Sequence, residues 1–307
     1  MYKTAMDTRV TNEQLREGYR ITVYGVFVNV GLTAVKFVLG FLGRSQALVA
    51  DAVHSLSDLI TDAVVMVGLA AGRRQADDRH HFGHGRMETM AAAFVAVALA
   101  VVAVYIGMTA AASIYRHDTN QPSWIALAGA ALSILTKEIL FQATARVGRR
   151  IRSKAVVANA WHHRSDAFSS IAVLLGVGAA CIRPDWHILD AYAALLVSVF
   201  ILKQGISLFL DSFKEFTDTA PEPQVLERIN GCICKVKEVI NVHDLKVRTS
   251  ADMIQMQVHI VVDRKLTVAE GHRVAKEVEN CLFSDLDNLL EVVVHVDPSP
   301  DEKEPKS

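Results

Sequence analysis

DAVHSLSDLITDAVVMVGLAAG, residues 51–72, is long and apolar enough for a membrane-spanning helix, yet it carries Asp51, His54, Asp58 and Asp62. Spacings of three and four residues put these four side chains on or near one stripe of such a helix. His54 and Asp58 sit one turn apart, about 6 Å along the axis, which is close enough to hold one ion together. An ionisable group at mid-bilayer costs about 2.5–3.5 kcal/mol, so the stripe faces a bundle interior and marks a pathway.

The arrangement recurs in ANAWHHRSDAFSS, residues 158–170, with His162 and Asp166. Two helices that each present His and Asp supply two nitrogens and two oxygens, a donor set that matches tetrahedral zinc. The competing reading is hydrogen bonding between helices without metal. A second pair of identical spacing favours the metal. His163 falls off the expected face and reads as an interfacial residue. Asp51 and Asp62 either gate the site, replace a ligand or serve as structural hydrogen-bonding groups, with the last reading preferred.

The rest of the chain fits a membrane protein with a soluble end. Of 307 residues, 51% are hydrophobic and 21% charged, and the net charge of −1 gives no support to a nucleic-acid partner. Six apolar segments are expected to span a bilayer, at 19–43, 46–72, 87–115, 122–146, 155–182 and 187–211. The connections alternate in basic residues. Arg73, Arg74, Arg79 and Arg86 fill the second, and Arg146, Arg149, Arg150, Arg152 and Lys154 the fourth. Arg44, Arg116 and Arg183 stand alone in the others. The basic connections are therefore expected in the cytoplasm, with both termini, in a bacterial inner membrane. Residues 1–18 are too polar for a signal or transit peptide and read as a cytoplasmic segment. Cys181, Cys232, Cys234 and Cys281 lack CxxC spacing and read as reduced thiols; Cys232 and Cys234 alone close no zinc site.

From 213 to 223 a turn-rich linker is expected, and beyond it the periodicity changes. Residues 222–236 repeat as a helix, 240–247 and 253–262 alternate as strands, 268–283 form a helix after the N-cap Thr267, and 290–296 form a last strand. The order αββαβ makes a small α+β domain over 224–298, followed by a polar tail, 299–307, too hydrophilic to pack. Two histidine clusters stand out. One is Asp77, Asp78, His80, His81 and His84 in the second connection; the other is His243, His259, His272 and His295 with Asp297 in the α+β domain. His295 and Asp297 are two apart and so share one strand face.

SQALVADAVHSLSD (45–58), DDRHHFGHGR (77–86) and NAWHHRSDA (159–167) together resemble the cation diffusion facilitator family, over residues 18–298. The resemblance implies an all-α six-helix transmembrane bundle with a metallochaperone-like cytoplasmic α+β domain. It also implies a homodimer in the lipid bilayer that exports a divalent metal from the cytoplasm in exchange for protons. By it, His54, Asp58, His162 and Asp166 are the transport site, and His at the first of these positions goes with zinc. It maps a loop site onto Asp77, His80 and His84, leaving His81 unmatched. A cytoplasmic site maps onto His243, His259, His295 and Asp297, with His272 as a further ligand. Where the family places Gln between the last His and Asp, this chain has Val296, which argues against a dinuclear site. Arg86 and Asp218 resemble a charged pair joining the two parts; read alone they are a membrane-flanking arginine and a solvated acid.

The resulting expectation is a Zn2+/H+ antiporter, with Zn2+ as substrate and regulatory ligand and no enzymatic activity. Fe2+, Co2+, Mn2+ and Cd2+ are the alternative cargoes, and the absence of thiolates argues against copper(I). A membrane metalloenzyme or a metal sensor are the rivals from other classes. No general base stands beside the His/Asp pairs, which weighs against the enzyme.

Overall fold

The computed structural model describes residues 2–72, 77–117, 121–151, 153–250 and 253–300, without the side chains of 2–15, 65–72, 154, 155, 162 and 184. Six long helices come first: α1 (Tyr2–Leu42), α2 (Gln46–Gly72), α3 (Gly85–Arg116), α4 (Trp124–Arg150), α5 (Lys154–Ile182) and α6 (Ile188–Phe216). Among the described residues five stretches are long and apolar enough to cross a membrane: Arg16–Leu42, Gly85–Arg116, Trp124–Arg150, Val156–Ile182 and Ile188–Phe216. The sixth expected span, α2, is a helix of 27 residues whose side chains beyond Val64 lie outside the description, and it is not among the five.

Two boundaries differ from expectation. Helix α1 begins at Tyr2 and so runs through most of the expected N-terminal segment, 1–18; 11–17 offer helix formers and no proline. The linker is shorter, because α6 continues through Phe216. The Thr217 hydroxyl then donates to the Phe213 carbonyl, and Asp218 turns the chain with φ 52°. Arg73, Arg74, Arg152 and the tail from 301 lie outside the described residues.

The chain divides into two compact units, Met1–Ala63 with Phe94–Leu208, and Val64–Ala93 with Phe209–Ser307. In the first, Leu48, Leu99, Val173, Val177, Val197 and Ile201 form the core with a run of alanines. Small residues let the helices approach. A Cβ on Gly176 would sit 2.6 Å from the Cβ of Ala193, and one on Gly43 2.6 Å from that of Ala126. Outward, Phe27, Val38, Phe94, Val101, Phe168 and Leu175 are exposed, an apolar surface suited to hydrocarbon.

The start of α2 is fixed by a neighbouring helix. Asp190 of α6 accepts from the Ser45 hydroxyl at 2.6 Å and from the Gln46 amide at 2.7 Å, while Ser45 Oγ accepts from the Leu48 amide at 3.0 Å. The carboxylate meets the unpaired amides and positive end of α2, an arrangement that anchors the helix carrying His54 and Asp58.

The second unit contains α7 (Pro223–Ile233), β1 (Asn241–Ser250), β2 (Met253–Val262), α8 (Val268–Asp285) and β3 (Leu289–Pro298). This is the expected αββαβ order. The sheet runs β1-β2-β3, with β2 antiparallel to β1 and parallel to β3. Alternation along β2 buries Ile254, Met256, Val258, Ile260 and Val262 against Ile229 and Ile233 of α7 and Val274, Val278 and Leu282 of α8. The odd-numbered positions, His259 among them, are left for the opposite face. Thr267 and Glu270 close a capping box at the start of α8.

Candidate metal centres

Asp58 of α2 and Asp166 of α5 line one small cavity of about 20 Å3, together with Asn29, Asp62, Lys137 and His163. That is room for about one water-sized particle. Each carboxylate has a partner from a further helix. Gln204 of α6 donates from Nε2 to Asp58 Oδ1 at 2.9 Å, and Lys137 Nζ of α4 stands 3.9 Å from Asp166 Oδ2. His54 lies one turn before Asp58, as the spacing requires. Among the described residues, His54 Nδ1 and Asp58 Oδ2 are buried with no hydrogen-bond partner. An orphaned carboxylate oxygen beside an imidazole nitrogen suits a cation. Among those same residues His54, Asp58 and Asp166 do not close to within 4.8 Å of one another, and the His162 side chain lies outside the description.

His163 corrects the sequence reading: it is buried and lines the cavity. Counting four residues back from Asp166 gives His162, but counting three gives His163, and both spacings share the face of Asp166. Asp62 also lines the cavity, whereas Asp51 does not. Asp51 is fully buried in an ion pair with Lys36 of α1 at 2.7 Å, and Ser170 donates to its carboxylate at 3.0 Å. Lys36 further donates to Ser55 at 3.0 Å. The structural reading of Asp51 thus has its partner. Lys36, Lys137 and Gln204 went unnoticed in the sequence, although a charged group inside an apolar span is itself the signal that would have found the lysines.

The loop cluster is organised by one carboxylate. Asp77 Oδ1 accepts from the amides of Arg79 at 2.9 Å and His80 at 2.7 Å, which folds the loop back on itself. The same side chain approaches His80 Nδ1 at 3.3 Å and, through Oδ2, His84 Nε2 at 3.4 Å. The two rings are 4.3 Å apart. The amide of Arg79 and then that of His80 hold the Asp77 carboxyl below its ordinary range, so it stays charged. Gly83, at φ 80°, makes the turn that returns His84 to Asp77. These three residues offer ligand atoms within 4.8 Å of one another. Nearby, Asp218 pairs with Arg86 and stands 3.7 Å from Arg248.

In the sheet, pairing register aligns His243 with His259 and His259 with His295, one histidine per strand in a row. Asp297, two residues along β3 from His295, reaches all three. Its Oδ2 lies 3.0 Å from His259 Nδ1 and 3.2 Å from His243 Nε2, and its Oδ1 lies 3.2 Å from His295 Nε2. Burial works against its charge, but the hydrogen bond with His259 and the surrounding imidazoles outweigh that and hold the carboxyl low. His243, His259 and Asp297 offer ligand atoms within 4.8 Å, with His295 at the rim.

His272 does not join them. It is exposed on α8, on the helical side of the sheet, in a hollow with Val296. Val296 alternates away from the histidine row, and a Cβ on Gly271 would meet its Cγ1 at 3.4 Å. The cysteines require another correction. Cys232 and Cys281 form a disulfide between α7 and α8, 49 residues apart, while Cys181 and Cys234 are free. Short-range spacing conceals a partner that only the packing of the two helices supplies.

Two family profiles match the chain in succession. The cation efflux transmembrane domain covers residues 22–217, and the cytoplasmic domain of cation efflux proteins covers residues 221–299. The magnetosome protein MamB of Magnetospira sp. is 35% identical over 275 residues, 90% of this chain and 93% of its own length. Metal tolerance protein C1 of Arabidopsis thaliana is 34% identical, over 92% of this chain and 63% of its own length. The manganese efflux system protein MneP of Bacillus subtilis is 28% identical, over 94% and 99%. With both parts of the architecture matched in order, the chain belongs to the cation efflux family and is a membrane-spanning transporter of divalent metal cations, not an enzyme.

Proposed function

We propose that the chain exports Zn2+ from the cytoplasm in exchange for protons, by alternating access at His54, Asp58, His162 and Asp166. The observation that carries this reading is the convergence of Asp58 and Asp166, from two helices, on one small cavity. Imidazole and carboxylate donors suit zinc, cobalt and iron(II). Histidine's ordinary pKa is about 6.5 and a metal-bound imidazole is deprotonated, so loading the site releases protons and emptying it takes them up. A site that opens to each side in turn then couples the two flows.

In this reading α2 is the sixth span, both termini are cytoplasmic and the protein is a homodimer of the bacterial inner membrane. Arg79 and Arg86 in one connection, and Arg146, Arg149 and Arg150 before the other, support the orientation. Asp77, His80 and His84, and His243, His259, His295 and Asp297, are then cytoplasmic metal sites that feed or regulate transport, with Zn2+ as their ligand.

A second reading keeps the site and changes the cargo. The relative named as a manganese efflux protein favours Mn2+, and Fe2+, Co2+ and Cd2+ share the donor chemistry. Flux in proteoliposomes, measured for each metal with and without a pH gradient, tests both. Zn2+ flux should exceed the others, follow the imposed gradient and vanish in His54→Ala and Asp58→Ala. Faster Mn2+ flux would replace zinc as the cargo. Flux indifferent to the gradient would remove proton coupling.

A further inference from the structure

We infer that Lys137 is a tethered cation that stands against Asp166 while the transport site lacks its metal and yields that place when the metal arrives, and so sets how tightly the site holds its cargo. The inference rests on the transport-site reading above. Lys137 lies on α4, is 3% exposed, and lines the cavity with Asp58, Asp62 and Asp166. An empty site of two carboxylates in a membrane is costly unless a positive charge faces it. Among the described residues the other buried lysine, Lys36, is 2.7 Å from Asp51 and hydrogen-bonded to Ser55, and it does not line the cavity. Lys137 is thus the lysine that lines the cavity beside the ligand carboxylates.

Its geometry is that of a competitor. At 3.9 Å from Asp166 Oδ2 the ammonium is beyond hydrogen-bond length, so the attraction is one of charge and sets no fixed bond to break. A lysine head is a compact charge on a flexible four-carbon stem, which can swing away without moving α4. A divalent ion on the Asp166 oxygen repels an ammonium a few ångströms away, so metal and lysine cannot both occupy that side of the carboxylate. The metal-free site is stabilised, metal affinity is lowered, and release after transport is eased by the returning charge. Gln204 does the corresponding work at Asp58 without charge, so the two ligand carboxylates are handled differently.

The test is Zn2+ flux by the full-length protein in proteoliposomes, with KM and Vmax determined separately at equal pH on both sides. Lys137→Gln should lower KM by between about fivefold and about 150-fold, the usual range of coupling between sites, and lower Vmax as release slows. Lys137→Met, matched to a buried position, should move both in the same directions and serves where the glutamine variant fails to fold. Lys137→Arg, which keeps the charge, should shift KM by less than either. A KM that is unchanged or raised in folded Lys137→Gln or Lys137→Met overturns the inference. Asp58→Ala, run in parallel, separates the two layers: if it leaves flux intact, the transport-site reading has failed, whatever Lys137 does.

Discussion

Gln204 of α6 fixes one oxygen of Asp58 on α2 with a 2.9 Å hydrogen bond, and the other oxygen, Oδ2, is buried and has no hydrogen-bond partner among the described residues. The amide therefore orients the carboxylate so that a lone pair is left for an ion. Gln204→Ala should weaken apparent metal affinity by about tenfold, the low end for loss of a group that orients a ligand. The flux KM for Zn2+ measures it, and an unchanged value would show that Asp58 needs no such support.

Lys36 and Asp51 are both fully buried and 2.7 Å apart. Removing one partner leaves an uncompensated charge, so Lys36→Met or Asp51→Asn alone should each cost about 3–5 kcal/mol. The double variant should recover much of that, because neither charge remains. Thermal stability of the four proteins in detergent gives the cycle. Additive losses would contradict a direct pair.

Helix packing offers a paired comparison. Gly176→Ala places a Cβ 2.6 Å from that of Ala193 and should cost about 1–3 kcal/mol through overpacking. Gly31→Ala meets nothing within 4 Å, and alanine's better helix propensity should leave it neutral or more stable. Equal melting shifts in the two variants would disprove this account of the α5–α6 contact.

The capping box predicts a pH dependence. Hydrogen bonds from the Thr267 amide and hydroxyl hold the Glu270 carboxyl below its ordinary 4.5. A lowered folded value means the stabilisation is complete above that ordinary value and fades as acid takes the pH down through the lower one. Glu270→Gln keeps a side chain able to cap but cannot titrate. Hydrogen exchange in the first turn of α8, corrected for intrinsic rates, should respond to acidification below 4.5 in the parent protein and not in the variant. Matching responses in both would rule the carboxylate out.

Much of this was legible where the decisive relationship is local. His54 with Asp58, and His295 with Asp297, follow from helix and strand periods, and the αββαβ order follows from the change of period after α6. Relationships across the fold were not. Gln204 is 146 residues from Asp58, and Cys281 is 49 from Cys232, so no spacing rule reaches either partner. His163 was misplaced for a different reason. Offsets of three and four from Asp166 are equally good on a helix, and only the neighbouring helices decide which ring turns inward.

The histidine row has a mechanical side. β1 and β3 are the two edges of the sheet and are each bonded to β2. Asp297 nevertheless reaches from one edge to His243 on the other. An ion held at this carboxylate and both outer histidines would act as a rivet through three strands, stiffening the edges in unison. Occupancy of the domain would then register as slower amide exchange in β1 and β3 together, a strain gauge read from the backbone and not from the metal.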